Sequence, residues 1–232
     1  MTQQRESATW RLMRTLGHDI VRGVHPPDRP FPIEQALSER HALSRSVIRE
    51  AVKILAAKGL VTSRPRIGIR VRPRTEWNLL DPDVLDWIAA SRDPTFLLEL
   101  LQMRRAVEPE AAALAAGLRD ARLIDAIGAA YRRMAAAADG GDDPLESDVA
   151  FHCALLNASG NRLFAQLGNL VRTALGSAIH ETNRAAGVRV GDLAEHEAIL
   201  VAVRAGDAAG ARTATRAMID RTIGLIRPDS AG

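Results

Sequence analysis

The stretch LSRSVIREAVKILAAKGLV, residues 43–61, constrains the fold of this chain more than any other. Ser44 suits a helix N-cap, because its hydroxyl can accept a hydrogen bond from an unpartnered N–H of the first turn. Gly59 suits the position just past the helix, where a left-handed backbone closes the last turn. Between them Ile48, Ala51, Val52 and Leu55 recur at i, i+3, i+4 and i+7, so one face is apolar and must be buried. Arg45, Arg49 and Lys53 stand four apart beside that stripe, and neither arginine has an acidic residue at i+4. A cation in the first turn is unfavourable, since the helix N-terminus already carries partial positive charge. A polyanion outside the chain relieves that cost, and arginine both reads guanine O6/N7 and neutralises phosphate.

The flanks extend the pattern. A helix is predicted over about 7–23, ended by Gly23 and the Pro26/Pro27 pair. PIEQALSER predicts a short helix over about 34–40 with Ile33, Ala36 and Leu37 as its apolar side, and His41-Ala42-Leu43 a tight turn. Beyond the central helix, residues 61–64 and 69–73 alternate like strands around PRIG, which predicts a small β-hairpin with Gly68 in its turn. Helix, short turn, helix, then a hairpin bearing Arg64, Arg66, Arg70 and Arg72 is the plan of a winged helix-turn-helix. The second helix of such a unit enters a major groove. Arg66 and the Gly68 backbone of the hairpin are then placed toward the minor groove or the phosphates.

Charge follows the same division. Residues 1–75 carry 15 Lys+Arg against 6 Asp+Glu, and residues 76–232 carry 16 against 22, so the net charge of +3 conceals a basic first third. One cysteine, Cys153, excludes an intramolecular disulfide and fits a reducing cytoplasm. No apolar run reaches the ~18 residues of a membrane span. The opening MTQQRESATW lacks the apolar core of a secretion signal.

RPRTEWNLLDPDVLDW reads as a linker that turns helical near Pro82. Helical spacing then continues to about residue 226, as six or seven helices broken at 139–144, 159–161, 185–192 and 205–207. The expectation is a mostly α chain: a winged helix-turn-helix over 1–75, a linker over 76–94 and an all-α bundle over 95–228.

Three polar features interrupt the apolar pattern of the bundle. Arg104 and Glu108 are i and i+4, as are Asp148 and His152, and His196 opens a further helix. An Asp–His pair one turn apart can hold one Zn²⁺, Ni²⁺ or Mn²⁺ ion from a single helix, with His196 as a third donor. The same spacing also suits an ordinary surface pair.

ALSERHALSRSVIREAVKILAAKGLV, followed by RPRIGIRV, resembles the DNA-binding domain of the GntR family of bacterial regulators over about residues 8–73. The resemblance implies that Ser44, Arg45, Ser46 and Arg49 contact DNA and that the wing around Gly68 reaches the minor groove. Gln35 stands where some members carry a DNA-contacting arginine, and Glu50 is expected to pair within the domain. About residues 95–226 resemble the all-helical FCD ligand-binding domain of the FadR subfamily. The matching residues are Arg104 and Glu108, Asp148-Val-Ala-Phe-His152, Asn161 after Ser-Gly, and Glu195-His196-Glu-Ala-Ile199 with the Arg-Ala-Gly-Asp that follows. This implies a divalent metal on Asp148, His152 and His196, a carboxylate effector completing the coordination, and Arg104 as its clamp. Glu108 is expected to take hydroxyls or to orient Arg104, and His180 either to lie at the pocket rim or to face solvent.

The usual third histidine of the subfamily falls on Met218, whose thioether is a poor ligand for a hard or borderline dication. Two arrangements follow: three protein ligands with more open positions, or an effector bound by Arg104, Glu108 and the histidines without metal. Residues 74–87 resemble the linker of galactonate-responsive members, which share the methionine; an aldonate such as D-galactonate is the effector implied. The whole reads as a homodimeric, ligand-responsive repressor of a sugar-acid catabolic operon, bound to a double-stranded DNA operator and released by its effector. The rival reading is a metal-dependent enzyme acting on a small carboxylic acid or lactone. That reading finds no His-Glu-x-x-His spacing and leaves the basic first third without a purpose.

Overall fold

Ser7 starts α1 (Ala8–Val21) by accepting a hydrogen bond from the Trp10 N–H in the computed structural model, which describes residues 7–64, 68–186 and 191–226, with the side chains of 179–186 left aside. The helix ends at Gly23, where φ is +76° and Val24 N–H returns to the Asp19 carbonyl at 2.9 Å. The chain divides into two compact units, Met1–Ser91 and Arg92–Gly232.

The first unit continues with α2 (Glu34–His41) and α3 (Arg45–Ala57), joined by a turn in which Ala42 is left-handed at φ 52°. Ser38 braces the turn: its backbone carbonyl accepts from Leu43 N–H at 3.2 Å, and its hydroxyl donates to the Leu43 carbonyl at 2.5 Å. The α3 stripe of Ile48, Ala51, Val52 and Leu55 is buried against α1, as its spacing predicts. On α2 only Leu37 is buried. Ile33 is 67% exposed and Ala36 is exposed too, so the apolar side expected there is narrower. Ile33 is the N-cap residue, lying before the first helical turn and off its buried face.

The wing is an antiparallel pair, β1 (Val61–Arg64) with β2 (Gly68–Val71), in the register Val61↔Val71 and Arg64↔Gly68. Val61, Ile69 and Val71 face the core while Arg64 and Arg70 face out. Past a 3₁₀ turn at Arg74–Glu76 lies α4 (Pro82–Ala90), inside the segment expected as linker. This helix is fastened to the first unit. Trp87 is 3% exposed and its indole lies against Gly17 of α1. Lys58 Nζ, at the end of α3, lies 2.8 Å from the α4 N-cap Asp81 and 2.6 Å from Asp83.

In the second unit α5 (Pro94–Leu118), α6 (Ala121–Ala138), α7 (Pro144–Ala158), α8 (Arg162–Ala165), α9 (Gly168–Ala186), α10 (Leu193–Ala205) and α11 (Ala208–Ile226) follow one another. Asp93, Asp120, Asp143, Asn161 and Asp192 each cap a helix by accepting N–H groups two or three residues on. Long α5 runs through the middle and packs on α7, α9, α10 and α11. Its alanines 112, 115 and 116 let Phe151, Leu155, Ile199 and Leu200 approach closely in the main core. That packing brings the polar residues of α5, α7 and α10 together in the interior.

Candidate functional site

The first turn of α3 carries no acidic residue, and Ser44, Arg45, Ser46 and Arg49 are all exposed there. Ser44 Oγ accepts from the Val47 N–H at 3.4 Å and lies 2.9 Å from Ser46 Oγ. Arg49 corrects the expectation of an unanswered cation. It forks onto Glu34 of α2, with Nη2–Oε2 at 3.0 Å and Nε–Oε1 at 3.3 Å. This hydrogen bonding holds the Glu34 carboxyl below its ordinary range. The Arg49 side chain nevertheless stays 60% exposed, and a pair so solvated is weak. The fork orients the guanidinium and leaves it within reach of an outside polyanion. Lys53 pairs with Glu50 at 2.7 Å, so Glu50 does pair within the unit. Gly68 is exposed at φ +85° with open space where a Cβ would sit. Arg66 lies outside the described residues.

The second cluster is buried. Arg104 and Glu108 project from α5, Asp148 and His152 from α7 and His196 from α10, each no more than 5% exposed. Glu108 sits at the back. Its Oε1 lies 2.5 Å from Arg104 Nε and its Oε2 lies 2.6 Å from His152 Nδ1. Burial alone would push the Glu108 carboxyl up, but the adjacent Arg104 charge and His152 hold it at about 2. A carboxylate only accepts, so His152 carries its proton on Nδ1. On His196 the Nδ1 donates to the Asp192 carbonyl at 2.7 Å. Both imidazoles therefore turn Nε2 inward, each 3.3 Å from Asp148 Oδ1.

Those 3.3 Å approaches are not hydrogen bonds: Asp148 Oδ1 and His196 Nε2 are buried with no hydrogen-bonding partner. An orphaned carboxylate oxygen facing two inward imidazole nitrogens is costly unless something else binds there. The edge of a tetrahedron with ~2.1 Å bonds is about 3.4 Å, so the spacing fits one metal ion. The donor atoms of Asp148, His152 and His196 all lie within 4.8 Å of one another. Outer groups fix both imidazoles in the way ligating histidines require: the Glu108 carboxylate for one, the Asp192 carbonyl for the other. Phe151 stands edge-on to both rings, at 5.7 and 4.9 Å between centroids.

The cluster opens into a cavity of about 70 Å³ between α5, α7, α9, α10 and α11. Its walls include Arg104, Asp148, His152 and His196, and also Asp192, Glu195, Met218 and Thr222. Glu108 is not among the residues that line the cavity; it lies against Arg104 and His152, which do. Arg104 Nη2 is 3.2 and 3.1 Å from the two ring nitrogens of His152 and so stands over the ring face. Outside, Arg221 reaches Glu195 at 2.7 Å and Asp192 at 3.5 Å. Sequence reasoning missed Asp192, although an Asp N-cap four residues before a histidine in DLAEH is a readable signal for that bond. Gly191 was missed too; a Cβ there would come within 3.2 Å of His196 Cε1. The side chain of His180 lies outside the described residues.

Comparison with known proteins bears on both clusters. A family model described as "Bacterial regulatory proteins, gntR family" matches residues 10–71, and the FCD domain model matches residues 99–221. The chain is 33% identical over 219 residues to the galactonate operon transcriptional repressor of Escherichia coli (strain K12), covering 91% of this chain and 93% of that one. It is 32% identical over 200 residues to the HTH-type transcriptional regulator LutR of Bacillus subtilis (strain 168), covering 84% and 90%. In fold it is like Streptococcus agalactiae GntR, with a TM-score of 0.51 at 22% identity over 93% of this chain and 99% of that one. These relatives are transcriptional regulators, which removes the enzyme reading. With its two parts matched in order and by relatives along most of its length, the chain belongs to the GntR family of bacterial transcriptional regulators and carries that family's FCD domain.

Proposed function

We propose that this regulator represses a sugar-acid catabolic operon and leaves its operator when an aldonate, D-galactonate foremost, binds in the helical domain. The observation that carries the reading is the set of inward-facing atoms, Asp148 Oδ1, His152 Nε2 and His196 Nε2, opening with Arg104 onto one cavity. Asp148, His152 and His196 would hold a divalent metal, Zn²⁺, Ni²⁺ or Mn²⁺. A bound dication supplies positive charge and open coordination positions for a carboxylate. Met218 in the wall, with a thioether where a fourth strong donor would stand, leaves those positions to the effector. Arg104 donates to the acid from the edge that Glu108 does not occupy, and Thr222 offers a hydroxyl to the polyol chain. That the Escherichia coli relative is the transcriptional repressor of a galactonate operon supports this choice of acid.

At the other end Ser44, Arg45, Ser46 and Arg49 meet the major groove, and the wing around Arg66 and Gly68 meets the minor groove or phosphates. One such unit covers few base pairs, so the working form is a homodimer on a pseudo-palindromic operator. The domain limits proposed are 1–75 for the winged helix, 76–94 for the connector and 95–228 for the effector domain. The site of action is the cytoplasm; among the described residues no helix is long and apolar enough to cross a membrane. Fluorescence anisotropy on the DNA upstream of the gene tests the proposal. Zn²⁺-loaded protein should bind specifically and dissociate on adding D-galactonate. Binding indifferent to every aldonate and ketodeoxy acid tried would remove the effector half of the reading.

A further inference from the structure

Resting on the effector site just described, we infer that Glu108 is a positioning residue that makes acid recognition depend on a bound cation. Both of its carboxylate oxygens are engaged, one by Arg104 Nε at 2.5 Å and the other by His152 Nδ1 at 2.6 Å. Each bond has its own consequence. The bond to His152 keeps the proton on Nδ1 and presents Nε2 to Asp148 and His196. The bond to Arg104 cancels the charge of that buried guanidinium. Arg104 can still donate a hydrogen bond into the cavity, but it brings no net charge.

Carboxyl groups make up much of the rest of the site. The Arg104 guanidinium and the Glu108 carboxylate are matched one to one, and the Asp148 carboxyl faces the same cavity. Asp192 and Glu195 stand in the wall as well, and among the described residues Arg221 pairs with both from outside. An incoming carboxylate therefore comes up against the carboxyl groups of Asp148, Asp192 and Glu195. A dication on Asp148, His152 and His196 offers it an opposite charge. Cation and acid then bind as a linked pair, each raising the affinity of the other by the same factor. Glu108, which touches neither, sets this dependence.

Full-length protein stripped with chelator and dialysed is titrated with Zn²⁺ alone, and with D-galactonate in the presence and absence of Zn²⁺, by calorimetry. Wild type should bind galactonate at least ~100-fold more weakly without Zn²⁺. Glu108→Gln should bind Zn²⁺ roughly 10–100-fold more weakly. It should also gain galactonate binding in the metal-free form, at least ~10-fold tighter than metal-free wild type, because Arg104 is then uncancelled. A merely structural residue would not produce that gain. Glu108→Asp keeps the charge but shortens the reach, so it should weaken Zn²⁺ and leave galactonate cation-dependent; it also serves if Glu108→Gln does not fold. Equal galactonate affinity of wild type with and without Zn²⁺, or unchanged Zn²⁺ affinity in both folded variants, overturns the inference. If Zn²⁺-loaded wild type binds no galactonate, the effector proposal fails instead, and the Zn²⁺ affinities of the variants still decide the role of Glu108.

Discussion

Substituting Gly17 by alanine sets two effects of opposite sign against each other. In a free helix Gly→Ala is stabilising by about 1 kcal/mol, because glycine loses more backbone freedom on folding. In this protein a Cβ at Gly17 would fall 2.6 Å from both Cε3 and Cη2 of Trp87, and closer still to Cζ3. Carbon atoms prefer 3.5–4.0 Å, so roughly 1 Å of overlap with a rigid ring must be relieved. The ring cannot yield as a flexible chain end would, since Trp87 is 3% exposed. Overpacking of this kind costs about 1–3 kcal/mol, which exceeds the helix term. The expected net effect is a destabilisation of about 1–2 kcal/mol. Urea denaturation read by tryptophan fluorescence isolates it, because the three tryptophans, Trp10, Trp77 and Trp87, all lie in the unit Met1–Ser91. At an m-value of ~1–2 kcal/mol/M the midpoint should fall by about 1 M. In a Trp87→Ala background the same substitution should become neutral or stabilising. Stabilisation by Gly17→Ala in the wild-type background would mean that α4 is not docked on α1 and that 76–94 is a loose tether.

Arg49→Ala should lower operator affinity roughly tenfold or more with the circular dichroism spectrum unchanged, while Glu34→Gln should raise it by releasing Arg49 and removing a carboxylate near phosphate; anisotropy at matched salt measures both. Arg104→Ala leaves the Glu108 charge buried without its partner and should cost about 3–5 kcal/mol, seen as a lower melting temperature. Replacing both, as Arg104→Met with Glu108→Leu, should recover most of that loss. Zn²⁺ affinity should fall as pH falls. Burial opposes protonation of His152, but the Glu108 carboxylate outweighs it and raises the pKa above the ordinary value of 6.5. A raised value means that the proton stabilises the metal-free fold at low pH, a contribution lost as pH rises through the folded pKa. Zn²⁺ must displace that proton, so calorimetry should show affinity weakening by about tenfold per pH unit below it.

Much of the first unit was legible in the sequence because its signals are local. Ser44, the four-residue stripe of α3 and Gly59 each express a rule that operates within one helix. The pairs Arg104–Glu108 and Asp148–His152 were visible for the same reason. What escaped notice crosses between elements. Glu34 answers Arg49 from 15 residues away, and Glu108 holds His152 from another helix. No i,i+4 rule sees such partners, since topology alone brings them together. The docking of Trp87 on Gly17 was hidden because a glycine within a helix announces only a missing side chain, not what fills the space. Met218 could be read as a departure from a family pattern, but Thr222 could not, since a threonine carries no comparable signature.

The cavity in the helical domain has a mechanical corollary. Five helices contribute to its walls, and Met218 and Thr222 of α11 line it together with Arg104 of α5 and His152 of α7. A ligand that fills it has to touch several helices at once, so its arrival would be felt by the bundle as a whole and not by one side chain. Were a ligand to prefer a more open arrangement of those helices, its affinity would be reduced by the fraction of molecules already in that arrangement.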